Sequence, residues 1–171
     1  MQAGTRTCAP SDGGPAPSQE VIRARDDKIV ARALRILEQR ASEPGPRLGD
    51  VSKCGAFFRL RLGGEIREHF EVAFLDNQHR LIGVERLFSG SVEGAEVHPR
   101  IVVQRALALN AAAVIVAHNH PSGHTEPSAA DRAVTVQLKT VLQLVEIRLL
   151  DHFVVTAHQA VSMATRGWVQ G

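Results

Sequence analysis

Residues 118–131 read His118-Asn119-His120-Pro121-Ser122-Gly123-His124-Thr125-Glu126-Pro127-Ser128-Ala129-Ala130-Asp131. Just upstream, Ala111 to Ala117 is continuously apolar with Val and Ile at its centre, the pattern of a short strand buried on both faces. Residues two apart in an extended segment point to the same side, so His118 and His120 can reach one metal ion together. Downstream, a helix from about Ser128 to Leu144 places Asp131 in its first turn, folded back toward the strand end. Two imidazoles and one carboxylate leave a fourth tetrahedral position open, as in a catalytic zinc site rather than a closed structural one. No cysteine stands nearby to fill it. A plainer reading competes: Ser128-x-x-Asp131 is also a helix capping box with Asp in place of Glu, and histidines beside Pro and Gly are often ordinary loop residues.

On the N-terminal side, His98-Pro99 opens a helix to about Asn110, with Val102, Val103, Ala106 and Leu107 inward. Earlier still, Phe70, Val72 and Phe74 alternate with Glu71, Ala73 and Leu75. That alternation marks a strand, Asp76-Asn77-Gln78 a turn, and Arg80 to Phe88 the returning strand of a hairpin. Beyond the Asp131 helix, strands near Ile147–Thr156 and Ala160–Ala164 close the domain. Interleaved helices and strands give an α/β (α+β) class, a single domain with a mixed sheet flanked by helices. Residues 65–171 form this metal domain. Residues 19–64 read as a helical segment before it: Ser18 caps a helix to about Ala41 with Ile22, Ile29, Val30, Ala33, Leu34 and Leu37 as its apolar stripe. Glu43-Pro44-Gly45-Pro46 ends that helix, Asp50 caps a second one, and Gly63-Gly64 closes it. Residues 1–18 offer almost nothing to bury and read as a disordered tail.

Composition narrows the function classes. Twenty basic and 18 acidic residues in 171 leave a net charge of +2. That balance is too even to support nucleic acid or an anionic membrane as the main partner. Cys8 and Cys54 cannot build a disulfide framework or a cysteine-rich zinc site, which fits a reducing cytoplasm. The longest apolar stretch, Ala106 to Ala117, is broken by Asn110 and is far short of the roughly 20 residues that span a bilayer. The N-terminus has no apolar core of a signal peptide, so a soluble cytoplasmic protein is expected. The unusual entries are the eight histidines, in a chain with no tyrosine.

The His-x-His-Pro motif, six further residues and Ser-x-x-Asp resemble the metal motif of the JAMM (MPN+) metalloprotease fold. A wider match runs from Glu68 through FLDNQHRLI, LFSG, EVHPR, AHNHPSG, EPSAAD and LDHFVV to the C-terminal RGW. It resembles the RadC family over roughly residues 65–169. More loosely, the whole chain is similar to short RadC-like proteins of the YeeS type, without the helix-hairpin-helix region of full-length members.

The resemblance implies that His118, His120 and Asp131 ligate one zinc ion and that Ser128 stabilises the oxyanion of a tetrahedral intermediate. It also implies a glutamate before a central strand, for which Glu65, Glu68 and Glu71 are candidates. Glu68 shares its parity with Phe70, Val72 and Phe74, taken as the buried face, whereas Glu65 and Glu71 fall on the other. The family pattern also selects Glu68, as general base. The implied activity is zinc-dependent hydrolysis of amide bonds in a peptide or protein substrate, by a metallopeptidase or isopeptidase. Its rivals are a non-catalytic RadC-like binding module associated with DNA repair or replication, and a purely structural zinc domain. Asn119 departs from the Ser or Thr common between the histidines of JAMM deubiquitinases, although RadC-type sequences carry Asn there. The contiguous His118-Asn119-His120 is not an HNH nuclease signal, whose residues spread over a ββα motif. His124 reads as a solvated loop residue, His152 as a satisfied core histidine, and Cys54 as packing.

Overall fold

The computed structural model describes residues 18–42, 48–90 and 96–169. Residues 1–17 of the expected tail and the Glu43-Pro44-Gly45-Pro46 helix stop lie outside these residues. In chain order the elements are α1 (Gln19–Ser42), α2 (Val51–Leu62), β1 (His69–Leu75), β2 (Leu81–Ser89), α3 (Pro99–Ala108), β3 (Ala113–Asn119), α4 (Ala129–Gln143), β4 (Arg148–Val155) and β5 (Ala160–Ser162). The strands form one mixed sheet in the order β2-β1-β3-β4-β5. β1 is antiparallel to both β2 and β3, and β5 is antiparallel to β4. β3 and β4 are parallel, so the chain must cross over between them, and α4 is that crossover.

Both faces of the sheet are covered. Val102 and Ala106 of α3 and Leu138 and Leu142 of α4 pack with Phe70, Val72, Phe74, Val114, Val116 and Val154. On the opposite face, Cys54, Phe57, Phe58 and Leu62 of α2 pack with Ala73, Leu75, Ile115, Ala117 and Phe153. The result is a helix–sheet–helix sandwich in which every residue of β1 and β3 is buried. Burial also pushes the Cys54 thiol up to about 11, so it stays protonated and serves as packing.

Two-sided burial corrects the expectation that only one face of β1 is covered. Glu71 lies beneath α2, buried. It is tolerated there because Arg61 Nε and Arg86 Nε donate to its carboxylate at 2.6 and 3.2 Å. Arg61 also pairs with Glu38, which ties α1 to the body.

Other differences have local causes. On α1, Ile22, Ile29 and Val30 are exposed, and only Ala33, Leu34 and Leu37 of the expected stripe are half-buried. Only the C-terminal half of this helix rests on other described residues. Leu107 is 55% exposed rather than inward, because it lies about 100° further round α3 than the fully buried Ala106. β3 runs two residues past the expected end, since His118 still pairs with Phe70 on one side and Val154 on the other. Among the described residues, no helix is long and apolar enough to cross a membrane.

Candidate metal centre

The sheet parity that builds the core also builds the site. Val114, Val116 and His118 alternate along β3 toward the layer containing α4, and Glu68 continues the Phe70–Val72–Phe74 line of β1. β1 is antiparallel to β3, so its start lies beside the carboxyl end of β3. The N-terminus of α4 returns to the same place, the usual position for ligand sites in α/β sheets. As a result, ligand atoms of Glu68, His118, His120 and Asp131 all lie within 4.8 Å of one another.

The spacing and chemistry of the donors fit a divalent ion. His118 Nε2 is 2.9 Å from His120 Nε2 and 3.1 Å from Asp131 Oδ1, and His120 Nε2 is 3.5 Å from Asp131 Oδ2. Ligand atoms about 2.0–2.1 Å from one zinc stand about 3.3 Å apart at tetrahedral angles, within this range. His120 Nδ1 donates to the His124 carbonyl at 2.8 Å, so the neutral ring presents a lone pair at Nε2. His118 Nδ1 is engaged by His152, which leaves its Nε2 facing the same point. Acceptor atoms converging this closely repel one another unless a positive charge lies between them.

The electrostatics agree. Burial alone would raise the Asp131 carboxyl, but the adjacent His118 and His120 rings hold it far below the usual carboxylate range. Asp131 in turn raises the His120 imidazole above its ordinary value, chiefly through their hydrogen bond.

The capping box of Ser128-x-x-Asp131 is compatible with a ligand role for Asp131. Ser128 N–H donates to Asp131 Oδ2 at 2.6 Å and Asp131 N–H donates to Ser128 Oγ at 3.1 Å, a complete capping box. Asp131 Oδ1 is left to face His118. Ser128 Oγ, an acceptor in the box, keeps its own hydrogen for donation. The loop between the histidines and Ser128 is braced from outside by the C-terminus. Arg166 Nη1 donates to both Glu126 carboxylate oxygens at 2.7 Å, and Trp168 carries Arg132 and Arg166 on its ring.

Three residues beside the site, His152, Thr135 and Asn119, were given no part in it by the sequence reading. His152 is a fully buried core histidine, as expected, but its partners are site residues: His118 Nδ1 at 2.8 Å and Thr135 Oγ1 at 2.6 Å. Burial holds its imidazole well below the ordinary value, in the neutral form. Asn119 Oδ1 accepts from His69 N–H, and its Nδ2 donates to the Arg67 carbonyl, both at 2.8 Å. The other candidate glutamates are engaged elsewhere, Glu65 by Arg86 at 2.6 Å and Glu71 by Arg61 and Arg86. The exposed His124 contributes its carbonyl to the site through His120.

Residues 48–168 match the RadC-like JAB domain family. The chain is 56% identical over 144 residues to a UPF0758 protein of Xanthomonas oryzae pv. oryzae, an overlap covering 82% of this chain and 64% of that protein. It is 54% identical over 129 residues to a UPF0758 protein of Xylella fastidiosa, covering 75% of this chain and 58% of that protein. It thus spans less than two thirds of the length of these relatives. Site geometry, family match and identity agree: the chain belongs to the RadC-like JAB domain family.

Proposed function

We propose that this chain is a zinc-dependent hydrolase of amide bonds, a metallopeptidase or isopeptidase acting on a peptide or protein. The observation that carries the reading is the meeting of His118, His120 and Asp131 with a further carboxylate, Glu68, inside 4.8 Å. A structural zinc site is closed by four protein ligands and has no use for a base. Bound at His118, His120 and Asp131, zinc would supply Lewis acidity and lower the pKa of water from about 15.7 toward about 7.

The chain's own residues account for the remaining steps. Glu68, half-buried at the head of β1, would take a proton from a water in the site. As the amide C–N bond breaks, the same carboxyl returns that proton to the leaving amine. The Ser128 hydroxyl donates to the carbonyl oxygen as negative charge develops on it. A cleft of about 220 Å³ opens beside His120, lined by Gly63, Gly64, Asn119, Pro121, Thr156 and His158.

The test compares cleaved peptides in a proteome treated with the full zinc-loaded chain and with its Glu68→Gln variant. New termini produced by the wild type alone support the reading. Identical peptide sets from two folded, zinc-loaded proteins contradict it. Salt-dependent DNA affinity in that case would favour a binding module, since phosphate contacts release counterions.

A further inference from the structure

We infer that His152 and Thr135 are positioning residues that fix the metal-ready tautomer of His118, through a directed hydrogen-bond chain ending on the main chain of Asp131. The inference rests on the metal-centre reading above and extends it to two residues outside the ligand set.

The direction follows link by link from the far end. The Asp131 carbonyl only accepts, so Thr135, whose Oγ1 lies 2.5 Å away, donates its single hydrogen there. Thr135 Oγ1 can then only accept from His152 Nδ1, 2.6 Å away. Fully buried, and partnered by a hydroxyl and an imidazole rather than a carboxylate, the His152 ring has its one hydrogen on Nδ1 and presents a lone pair at Nε2. His118 Nδ1, 2.8 Å from that atom, must therefore carry a hydrogen and donate it. The lone pair of His118 is thereby placed on Nε2, which faces His120 and Asp131.

Three features make this a positioning device rather than incidental core packing. The chain starts on one metal ligand and ends on another, so β3, β4 and the first turns of α4 are tied into one ring around the site. His118, His152 and Thr135 are each at most 2% exposed, so water cannot substitute for a missing link. The chain also ends on a neutral carbonyl instead of the carboxylate that often backs a zinc histidine. It orients His118 without adding negative charge, which leaves more Lewis acidity to a bound cation.

The experiment uses the whole 171-residue chain and needs no substrate. Zinc affinity is measured by chelator competition, and the His118 and His152 tautomers are read from ¹⁵N ring shifts of the metal-free protein. Thr135→Val keeps the shape but removes both hydrogen-bond roles; Thr135→Ser keeps them. The expected result is Nδ1–H on both rings in the wild type, about 10–100-fold weaker zinc binding for Thr135→Val, and near-wild-type binding for Thr135→Ser. His152→Gln, whose amide oxygen can accept from His118, should bind zinc more tightly than His152→Phe. A folded Thr135→Val with wild-type zinc affinity, or Nε2–H on His118 in the metal-free wild type, would overturn the inference. A chain that binds zinc as expected but cleaves nothing would refute only the hydrolase reading.

Discussion

Asn119 clamps the main chain on both sides of Glu68. Its side-chain amide accepts from His69 N–H and donates to the Arg67 carbonyl, each at 2.8 Å, while Gly90 N–H donates to the Glu68 carbonyl at 2.9 Å. The regular β1–β3 ladder ends at the Phe70–His118 pair, and the Asn119 amide extends it by acting as a piece of main chain. A serine or threonine at 119 has one shorter-reaching oxygen in place of the separate acceptor and donor atoms of the amide, so it cannot keep both bonds. Asn119→Ser should leave zinc binding intact, because β3 still holds the histidines. It should cost about 1–3 kcal/mol for the lost buried bonds and speed hydrogen exchange at the His69 amide. Wild-type exchange at His69 in the variant would show that the clamp does not hold the Glu68 segment.

Glu71 and Arg61 provide a test of the fold beneath the site. The Glu71 side chain is 1% exposed, and Arg61 is the nearer of its two cationic partners. Removing one partner leaves a buried charge poorly compensated, so Arg61→Met should destabilise the protein by about 3 kcal/mol in urea unfolding. Adding Glu71→Gln to that variant should restore part of the loss. An unchanged urea midpoint for Arg61→Met would mean that water reaches this face of the sheet.

The raised pKa of His120 sets a pH dependence. Zinc must displace a proton that Asp131 helps His120 retain, so zinc affinity should fall on acidification starting above the ordinary imidazole value of about 6.5. Metal-free stability follows the opposite sign. A raised folded-state pKa contributes stability that is fully present below the unfolded value and is lost as pH rises through the folded one. The stability advantage of metal-free wild type over His120→Gln should therefore shrink between mildly acidic and mildly alkaline pH. Thermal melts of both proteins across that range check the sign.

Gly123 has φ of 82°, and a Cβ built there would meet nothing within 4 Å. Its Gly123→Ala cost is therefore one of backbone conformation, about 1–2 kcal/mol. Gly123 N–H donates to the His120 carbonyl at 3.0 Å, and the neighbouring His124 carbonyl orients the His120 ring. The substitution should thus weaken zinc binding as well as lower the melting temperature. A melting shift with unchanged chelator competition would separate loop strain from the metal site.

What the sequence shows about this site depends on how far apart the contributing residues lie. His118, His120, Ser128 and Asp131 sit within 14 residues of one strand–loop–helix unit, so spacing alone is enough to group them. Glu68 lies 50 residues earlier, and three glutamates with usable spacing compete for its place. Strand parity and the family pattern singled it out, and the register of β1 on β3 brings it beside the histidines. The links from Asn119 to His69 and from His118 to His152 exist only because β1, β3 and β4 pair in one register, which no local pattern encodes. Burial of Glu71 was missed for a related reason. Alternation along one strand cannot show that α2 covers the second face. The α1 stripe errs in the opposite direction: helical periodicity marks an apolar face whether or not anything covers it.

In the function proposed here, His118, His120 and Asp131 hold one zinc ion while Glu68 stands beside it as a base rather than a ligand. Elemental analysis of purified wild type, His118→Ala and Glu68→Gln, each verified as folded, tests it most directly. One zinc per chain is expected for wild type and Glu68→Gln, and none for His118→Ala. A wild type without stoichiometric zinc, or a Glu68→Gln variant that loses it, would contradict the account.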